Sequence, residues 1–365
     1  MTKKYVGWPY TDSRKGETMK EKHKYRPARI RHEGFISIFD GNTGKYLRTG
    51  NPFMAEFPEL IDIGIMETCV CSKRCKVDCY QKAVERHGKN MSLTAFRRIL
   101  EECHGKVFQV ALGGAGDPDS HENFEEILAA CAEHNIVPNF TTSGLTMTEE
   151  KAKLCYKYCG AVAVSEHNAD YTDKAVKLLV DAGVKTNIHY VLSTETIERA
   201  IEILKTGVYR QGINAVVFLL YKPVGLGKPE KVLRVEDDRV KEFFSLVAKH
   251  NCKFKIGFDS CSCAALVNYA PGIDFDYMDF CEGGRFSMYI SADEKAYPCS
   301  FANQDPVGID VSEQGVTIAE AWQQFEAFRN KLRTACPECK DREICGGGCP
   351  LMRSITLCNR KERKV

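Results

Sequence analysis

The sequence predicts an α/β protein: a parallel sheet covered by helices and curved into a partial barrel, followed by a cysteine-rich extension. Three observations predict it. From residue 60 to residue 223, apolar runs of strand length alternate with amphipathic runs of helix length. Six β-α units of this kind, joined by right-handed crossovers, build a parallel sheet with helices against it. Beyond residue 335 the pattern gives way to a dense cysteine group in a polar, glycine-rich stretch.

LIDIGIM (60–66) reads as a buried strand that ends at the first cysteine group. Residues 92–103 read as a helix opened by Ser92, and KVFQVALGG (106–114) as the second strand. NFEEILAACAEH (123–134) is amphipathic, and IVPNFTTSG (136–144) is the third strand. Helix 147–158, strand GAVAVSE (160–166), helix 170–182 and strand VKTNIHYVLS (184–193) follow. Helix 195–207 and strand NAVVFLLYKP (214–223) complete the series. In such folds function gathers at the carboxyl ends of the strands. Those ends carry the cysteine group (67–81), GGAGDP (113–118) and TTSG (141–144). GGAGDP is not G-x-G-x-x-G. A glycine pair there lets backbone come close to a ligand, or simply makes a tight turn.

Ahead of the first strand, FISIFDGNTGKYLRTG (35–50) reads as a hairpin turning at residues 40–44. It is a sheet edge for an extended peptide or a lid on the barrel. The chain thus divides into a basic arm and hairpin (1–59), a barrel (60–232), and a bridging region with the cysteine-rich extension (233–365).

Composition narrows the function. Of 365 residues, 44% are hydrophobic and 27% charged, ordinary for a globular protein, and the net charge of +2 predicts no strong field for nucleic acid. Residues 1–32 hold ten Lys/Arg against three Asp/Glu, read as a solvated tail. No apolar run serves as a signal peptide or approaches the roughly 18–20 residues that span a bilayer. The expected location is the cytoplasm, where disulfides are rare. Eighteen cysteines then need another explanation, and metal binding leads.

Cys103, Cys131, Cys155, Cys159 and Cys252 read as core residues. Cys69, Cys71, Cys75 and Cys79 form one group. CPECKDREICGGGC, ending at Cys349, forms another with Cys358. Its spacing has one C-x2-C knuckle and then a different rhythm. With Cys281 and Cys299 upstream, seven thiolates suit two iron–sulfur clusters better than one zinc.

These features together resemble the radical S-adenosylmethionine (radical SAM) enzymes with a C-terminal SPASM extension, of the peptide- and protein-modifying type. The resemblance covers roughly residues 60–360. It implies a partial TIM-like (β/α)6 barrel and three 4Fe-4S clusters, one binding S-adenosylmethionine and two auxiliary. The family's usual C-x3-C-x2-C appears here as Cys71-x3-Cys75-x3-Cys79, with one extra residue in the second gap and Cys69 as a spare thiol. Tyr80 follows Cys79 as an aromatic often does there. The resemblance places Gly113, Gly114 and Ala115 at the cofactor's methionine amino group. It places Thr142, Ser143 and Ser165 at its ribose or carboxylate, and the stretch from Asn187 to Leu192 near its adenosyl group. It assigns Cys281, Cys299 and Cys349 to the first auxiliary cluster, with Cys261, Cys263 or an open site as fourth ligand. Cys336, Cys339, Cys345 and Cys358 go to the second. Glu294 stands where the family often has glycine.

Sulfatase-maturing relatives carry an aspartate after the second SPASM cysteine. Ser300 stands there, and a hydroxyl does not accept a proton as a carboxylate does. That leaves thioether formation, carbon–carbon crosslinking or epimerisation of a ribosomal peptide. The implied partners are a peptide or protein substrate and an external electron donor such as flavodoxin or ferredoxin. A small metabolite or nucleotide substrate is the second reading, and a non-catalytic zinc or iron–sulfur module the third.

Overall fold

A computed structural model describes residues 21–71, 75, 77–303 and 307–359, and the backbone of residues 3–5. Most of the basic arm therefore lies outside the described residues.

Two sheets organise the chain. The first contains β1 (Lys3–Tyr5), β2 (Ala28–His32), β3 (Phe35–Asp40) and β4 (Lys45–Arg48), antiparallel in the order β1-β4-β3-β2. The expected hairpin is its centre. Asp40 closes the turn by accepting from the Asn42 N–H at 3.0 Å and the Thr43 hydroxyl at 2.7 Å.

The second sheet is the barrel wall. Strand β5 (Leu60–Met66) is followed by helix α1 (Leu93–Cys103), β6 (Gln109–Gly114), α2 (Phe124–Glu133) and β7 (Val137–Thr142). Then come α3 (Glu149–Tyr158), β8 (Val162–Ser165), α4 (Ala169–Asp181) and β9 (Thr186–Leu192). Next are α5 (Ile197–Thr206), β10 (Ala215–Leu220), α6 (Asp238–Val247) and β11 (Lys255–Phe258). Helix α7 (Cys263–Tyr269) leads to β12 (Ser287–Ile290), β13 (Lys295–Tyr297) and β14 (Ile309–Asp310). Three helices close the chain: α8 (Ile318–Gln323), α9 (Glu326–Arg333) and α10 (Arg342–Cys345). The strand order is β11-β10-β9-β8-β7-β6-β5-β12-β13-β14, parallel from β11 through β12. Each crossover adds the next strand beside the last, as the alternating pattern predicts. The wall extends past residue 232, because β11 joins β10 and β12 joins β5 on its free side. Among the described residues no helix is long and apolar enough to cross a membrane.

The elements form for local reasons. Ser92 caps α1 by accepting from the Ala95 N–H, and Phe96, Ile99, Leu100 and Cys103 put one stripe of α1 into the core. On β5, Ile61, Ile63 and Ile65 are fully buried, and Asp62 points to the other face. Burying each isoleucine stabilises by about 2–3 kcal/mol. A one-residue slip would put Asp62 in their place, so the register is fixed. Cys103, Cys131, Cys155 and Cys159 are buried in the same core as expected, while Cys252 is only partly buried.

One buried charge network ties the first sheet to the second. Glu59, just ahead of β5, accepts from the Ser37 hydroxyl, from Tyr46 at 2.5 Å and from Arg48 at 3.1 Å. Burial would push its carboxyl up, but these bonds and the His32 ring 3.3 Å away hold it at about 2. Arg48 also reaches Asp279 at 2.9 Å. Arg285 donates to Asp279 at 3.2 Å and to the Cys281 carbonyl at 3.1 Å. The network ends at one of the predicted cluster ligands.

Candidate functional site

The first cysteine group leaves β5 at its carboxyl end and is clamped there by the turn after β6. Gly114 has φ +116°, and a Cβ on it would meet the Met66 carbonyl oxygen at 2.2 Å. The Ala115 N–H donates to that same oxygen at 2.8 Å. Gly116 lies against the Thr68 carbonyl and the Cys69 Cα. Gly114→Ala is therefore expected to destabilise by about 3 kcal/mol or more, combining left-handed strain with a backbone clash. Gly113→Ala, where an added methyl meets nothing within 4 Å, is expected to leave chemical denaturation nearly unchanged.

Cys69, Cys71 and Cys75 come within electrostatic reach of one another, and the Cys75 N–H donates to the Cys71 carbonyl at 3.0 Å. Residues 72–74 and 76 of this loop lie outside the described residues. Cys79 stands on a second support. Its carbonyl accepts from the Lys82 N–H at 3.1 Å and the Leu226 N–H at 3.0 Å. Tyr80 packs on Phe301, ring centres 4.7 Å apart, and feels both Cys79 and Cys299. The first cysteine loop and the C-terminal module therefore meet at Tyr80.

The residues expected at the cofactor divide by position. Gly113 opens onto free space, and Ser165 ends β8 half-buried. Ser143 donates its N–H to Asp117 at 2.7 Å and its hydroxyl to the same carboxylate at 2.5 Å. Gly114 is packed against the Met66 backbone, and the remaining four are engaged in the fold itself. The Ala115 N–H is engaged by the Met66 carbonyl, which leaves its own carbonyl as the group that could accept from an amino group. Thr142 is fully buried, and its hydroxyl oxygen accepts from the Gly144 N–H at 3.0 Å. Asn187 lies near the amino end of β9, its side-chain oxygen accepting from Asn214 at 2.7 Å. Leu192 is fully buried on the helix side with Ile188 and Tyr190. Strand alternation explains this, since even positions of β9 face the core and odd positions the open side.

The open side carries groups that the sequence reading did not single out. His189 lies 3.2 Å from the Thr141 hydroxyl, and burial pushes its pKa down to about 4. Asp117 is half-buried next to Cys69, and desolvation pushes its carboxyl up. Lys222 is buried and donates to Asp259 at 2.6 Å and to the Leu220 carbonyl at 2.9 Å. Asp259 outweighs the burial and keeps this ammonium charged.

Asp62 faces the same space near Tyr80 and Cys299, its carboxyl pushed by burial from 3.8 up to about 7. A raised carboxyl costs nothing below the unfolded value; its cost grows as pH rises from the unfolded value to the folded one and is complete above it. Asp62→Asn is thus expected to be neutral near pH 4 and stabilising by about 2 kcal/mol at pH 8, read from unfolding curves at the two pH values.

The C-terminal cysteines fall into two sets. A Cβ on Gly283 would lie 3.6 Å from the Cys281 sulfur and 3.4 Å from the Cys299 Cβ, so this glycine sits between the two. Both cysteines feel Cys349. In the second set Cys345 feels Cys336, Cys339 and Cys358. Gly346, Gly347 and Gly348 are all left-handed and fold the chain back, with Gly347 packed against Ala335 and the Cys336 sulfur. The Cys349 sulfur accepts from the Met352 N–H at 3.4 Å and has the Lys222 cation nearby, surroundings that favour a thiolate. The donor set fits iron–sulfur ligation. Among the described residues no three Cys, His, Asp or Glu side chains close round a point as ligands of one ion do.

No family model matches the chain. Mycofactocin maturase MftC of Mycolicibacterium smegmatis is 25% identical over 314 residues, covering 79% of this chain and 78% of that protein. PqqA peptide cyclase of Granulibacter bethesdensis is 24% identical over 311 residues, covering 76% and 79%. The fold is similar to that of Streptococcus suis SuiB bound to S-adenosylmethionine, with TM-score 0.64 and 18% identity over 86% of this chain and 78% of that one. It is also similar to anSMEcpe with bound AdoMet, with TM-score 0.57 and 18% identity over 80% and 89%. The chain accordingly resembles the radical S-adenosylmethionine enzymes that carry a SPASM extension, in sequence and in fold.

Proposed function

We propose that this enzyme modifies a ribosomally made peptide or protein, forming a thioether or carbon–carbon crosslink or inverting a residue. Two relatives are named as a maturase and a peptide cyclase, and SuiB has been solved bound to precursor peptide SuiA. In this reading Cys71, Cys75 and Cys79 hold the cofactor cluster. Cys281, Cys299 and Cys349 serve a first auxiliary cluster, and Cys336, Cys339, Cys345 and Cys358 a second. When bound, the first cluster and S-adenosylmethionine supply a carbon radical able to abstract a hydrogen atom, with flavodoxin or ferredoxin as electron source.

The chain's own part is placement and exclusion. Gly113 leaves room for a ligand against backbone, and the Asp117–Ser143 pair supplies polar groups beside it. The open face, with Asp62, Thr141 and His189, would receive the side chain to be modified. The helices and the C-terminal module keep water from it.

The observation that carries the reading is the meeting at Tyr80. The nearness of Tyr80 to both Cys79 and Cys299 supports a substrate group lying between the first cysteine loop and the C-terminal module. The test is anaerobic incubation with S-adenosylmethionine, a reductant and short peptides encoded near the gene. The expected result is peptide-dependent 5′-deoxyadenosine, with hydrogen loss from the peptide or deuterium uptake from heavy water by mass spectrometry. Turnover with a metabolite and with no peptide contradicts it.

A further inference from the structure

We propose that Cys261 is the fourth ligand of the first auxiliary cluster, so that protein thiolates hold all of its corners and no iron is open to substrate. This rests on the reading above and assigns a residue outside the seven-cysteine set.

The position is built by the barrel. The Asp259 N–H donates to the Phe218 carbonyl at 3.1 Å, continuing the β10–β11 pairing past the end of β11. The short turn Ser260–Ser262 follows. Asp259 pins it from inside, because the Ser262 N–H donates to its carbonyl at 2.9 Å and the Ser262 hydroxyl to its carboxylate at 2.7 Å. From outside, Lys222 holds the same carboxylate.

Fixed in this way, the Cys261 thiol shares a hydrogen bond with Cys349, the cysteine that both Cys281 and Cys299 feel. Cys261 thus lies against Cys349, within electrostatic reach of which stand Cys281 and Cys299 on two other segments. The Lys222 ammonium lies near Cys261, Cys299 and Cys349, where it offsets the charge that gathered thiolates carry. Cys261 and Cys349 also pack with Val232 and Ile355, which screens them from water.

Cys263, two residues on, is the competitor, and its thiol is engaged elsewhere. It begins α7, is buried, and donates to the Asp279 carbonyl at 2.9 Å. The geometry separates two cysteines that their spacing alone does not.

The experiment uses the full chain with Cys71, Cys75 and Cys79 all changed to alanine, which leaves only the auxiliary clusters. Iron content and the reduced electron paramagnetic resonance spectrum are read with and without cyanide, which binds open iron sites. The parent is expected to ignore cyanide. Adding Cys261→Ala should either lower iron by about four per chain or leave a spectrum that cyanide shifts. Cys261→Ser, which keeps an oxygen ligand and the local packing, should shift the spectrum with iron retained. Cys263→Ala should match the parent.

A parent already sensitive to cyanide overturns the proposal. So does a Cys261→Ala protein with unchanged iron, spectrum and insensitivity. A folded parent that takes up no iron overturns the cluster reading itself, and is distinguished by that alone.

Discussion

Cys75→Ala is expected to abolish cleavage of S-adenosylmethionine and to remove about four irons per chain, with the auxiliary iron retained. The two supports of the loop predict this separation. The first cysteine group hangs from β5 and the turn after β6, while the C-terminal sets are built on the barrel mouth, α10 and the glycine run. Losing a sulfur from one leaves the other's backbone intact. Cys71→Ala and Cys79→Ala should behave as Cys75→Ala does. Cys69→Ala is the contrast. Cys69 is the thiol left over from the Cys71-x3-Cys75-x3-Cys79 spacing. Its backbone is already fixed beneath Gly116. Iron and 5′-deoxyadenosine should therefore survive in Cys69→Ala. Loss of the cluster there, with retention in Cys71→Ala, would reverse the ligand assignment.

Arg48→Met is expected to destabilise the protein by about 3–5 kcal/mol, because it leaves Glu59 and Asp279 buried without their shared cation. Methionine retains part of the packing on Phe286, whose ring centre lies 3.4 Å from the guanidinium carbon. The loss should thus reflect charge more than volume. Adding Glu59→Gln should recover part of it, since one stranded charge is then gone. Urea unfolding of the two variants measures both effects. The network also reaches Cys281 through Asp279 and Arg285. Arg48→Met should therefore loosen the first auxiliary cluster before the second, read as iron lost to a chelator over time.

The barrel was legible because its signals are local. Leu60–Met66 is bounded by its apolar run, and α1 by the Ser92 cap and a helical stripe. Strands β11 and β12 were not legible. KIGF and SMYI are four residues each, and partners distant in sequence make them strands. The first sheet showed only its hairpin for a similar reason, since β2 is a polar five-residue strand defined by pairing with β3.

At the site, spacing alone grouped the cysteines, whereas which residues line the open face was not legible from it. Taking β9 as a block placed Asn187 and Leu192 at the cofactor. Applying the two-residue alternation inside it would have rejected Leu192 and selected His189. The same alternation within LIDIGIM marks Asp62. Cys261 could not be chosen over Cys263 without the fold, because its link to Cys349 joins the end of the barrel to the end of the chain.

The central claim is that the first cysteine loop supports reductive cleavage of S-adenosylmethionine. The direct measurement is 5′-deoxyadenosine formed by the anaerobically reconstituted wild-type chain with S-adenosylmethionine and dithionite, with Cys75→Ala beside it. The account predicts 5′-deoxyadenosine from the wild type and none from the variant. A folded, iron-loaded wild type that forms none, or one that takes up zinc alone, contradicts it.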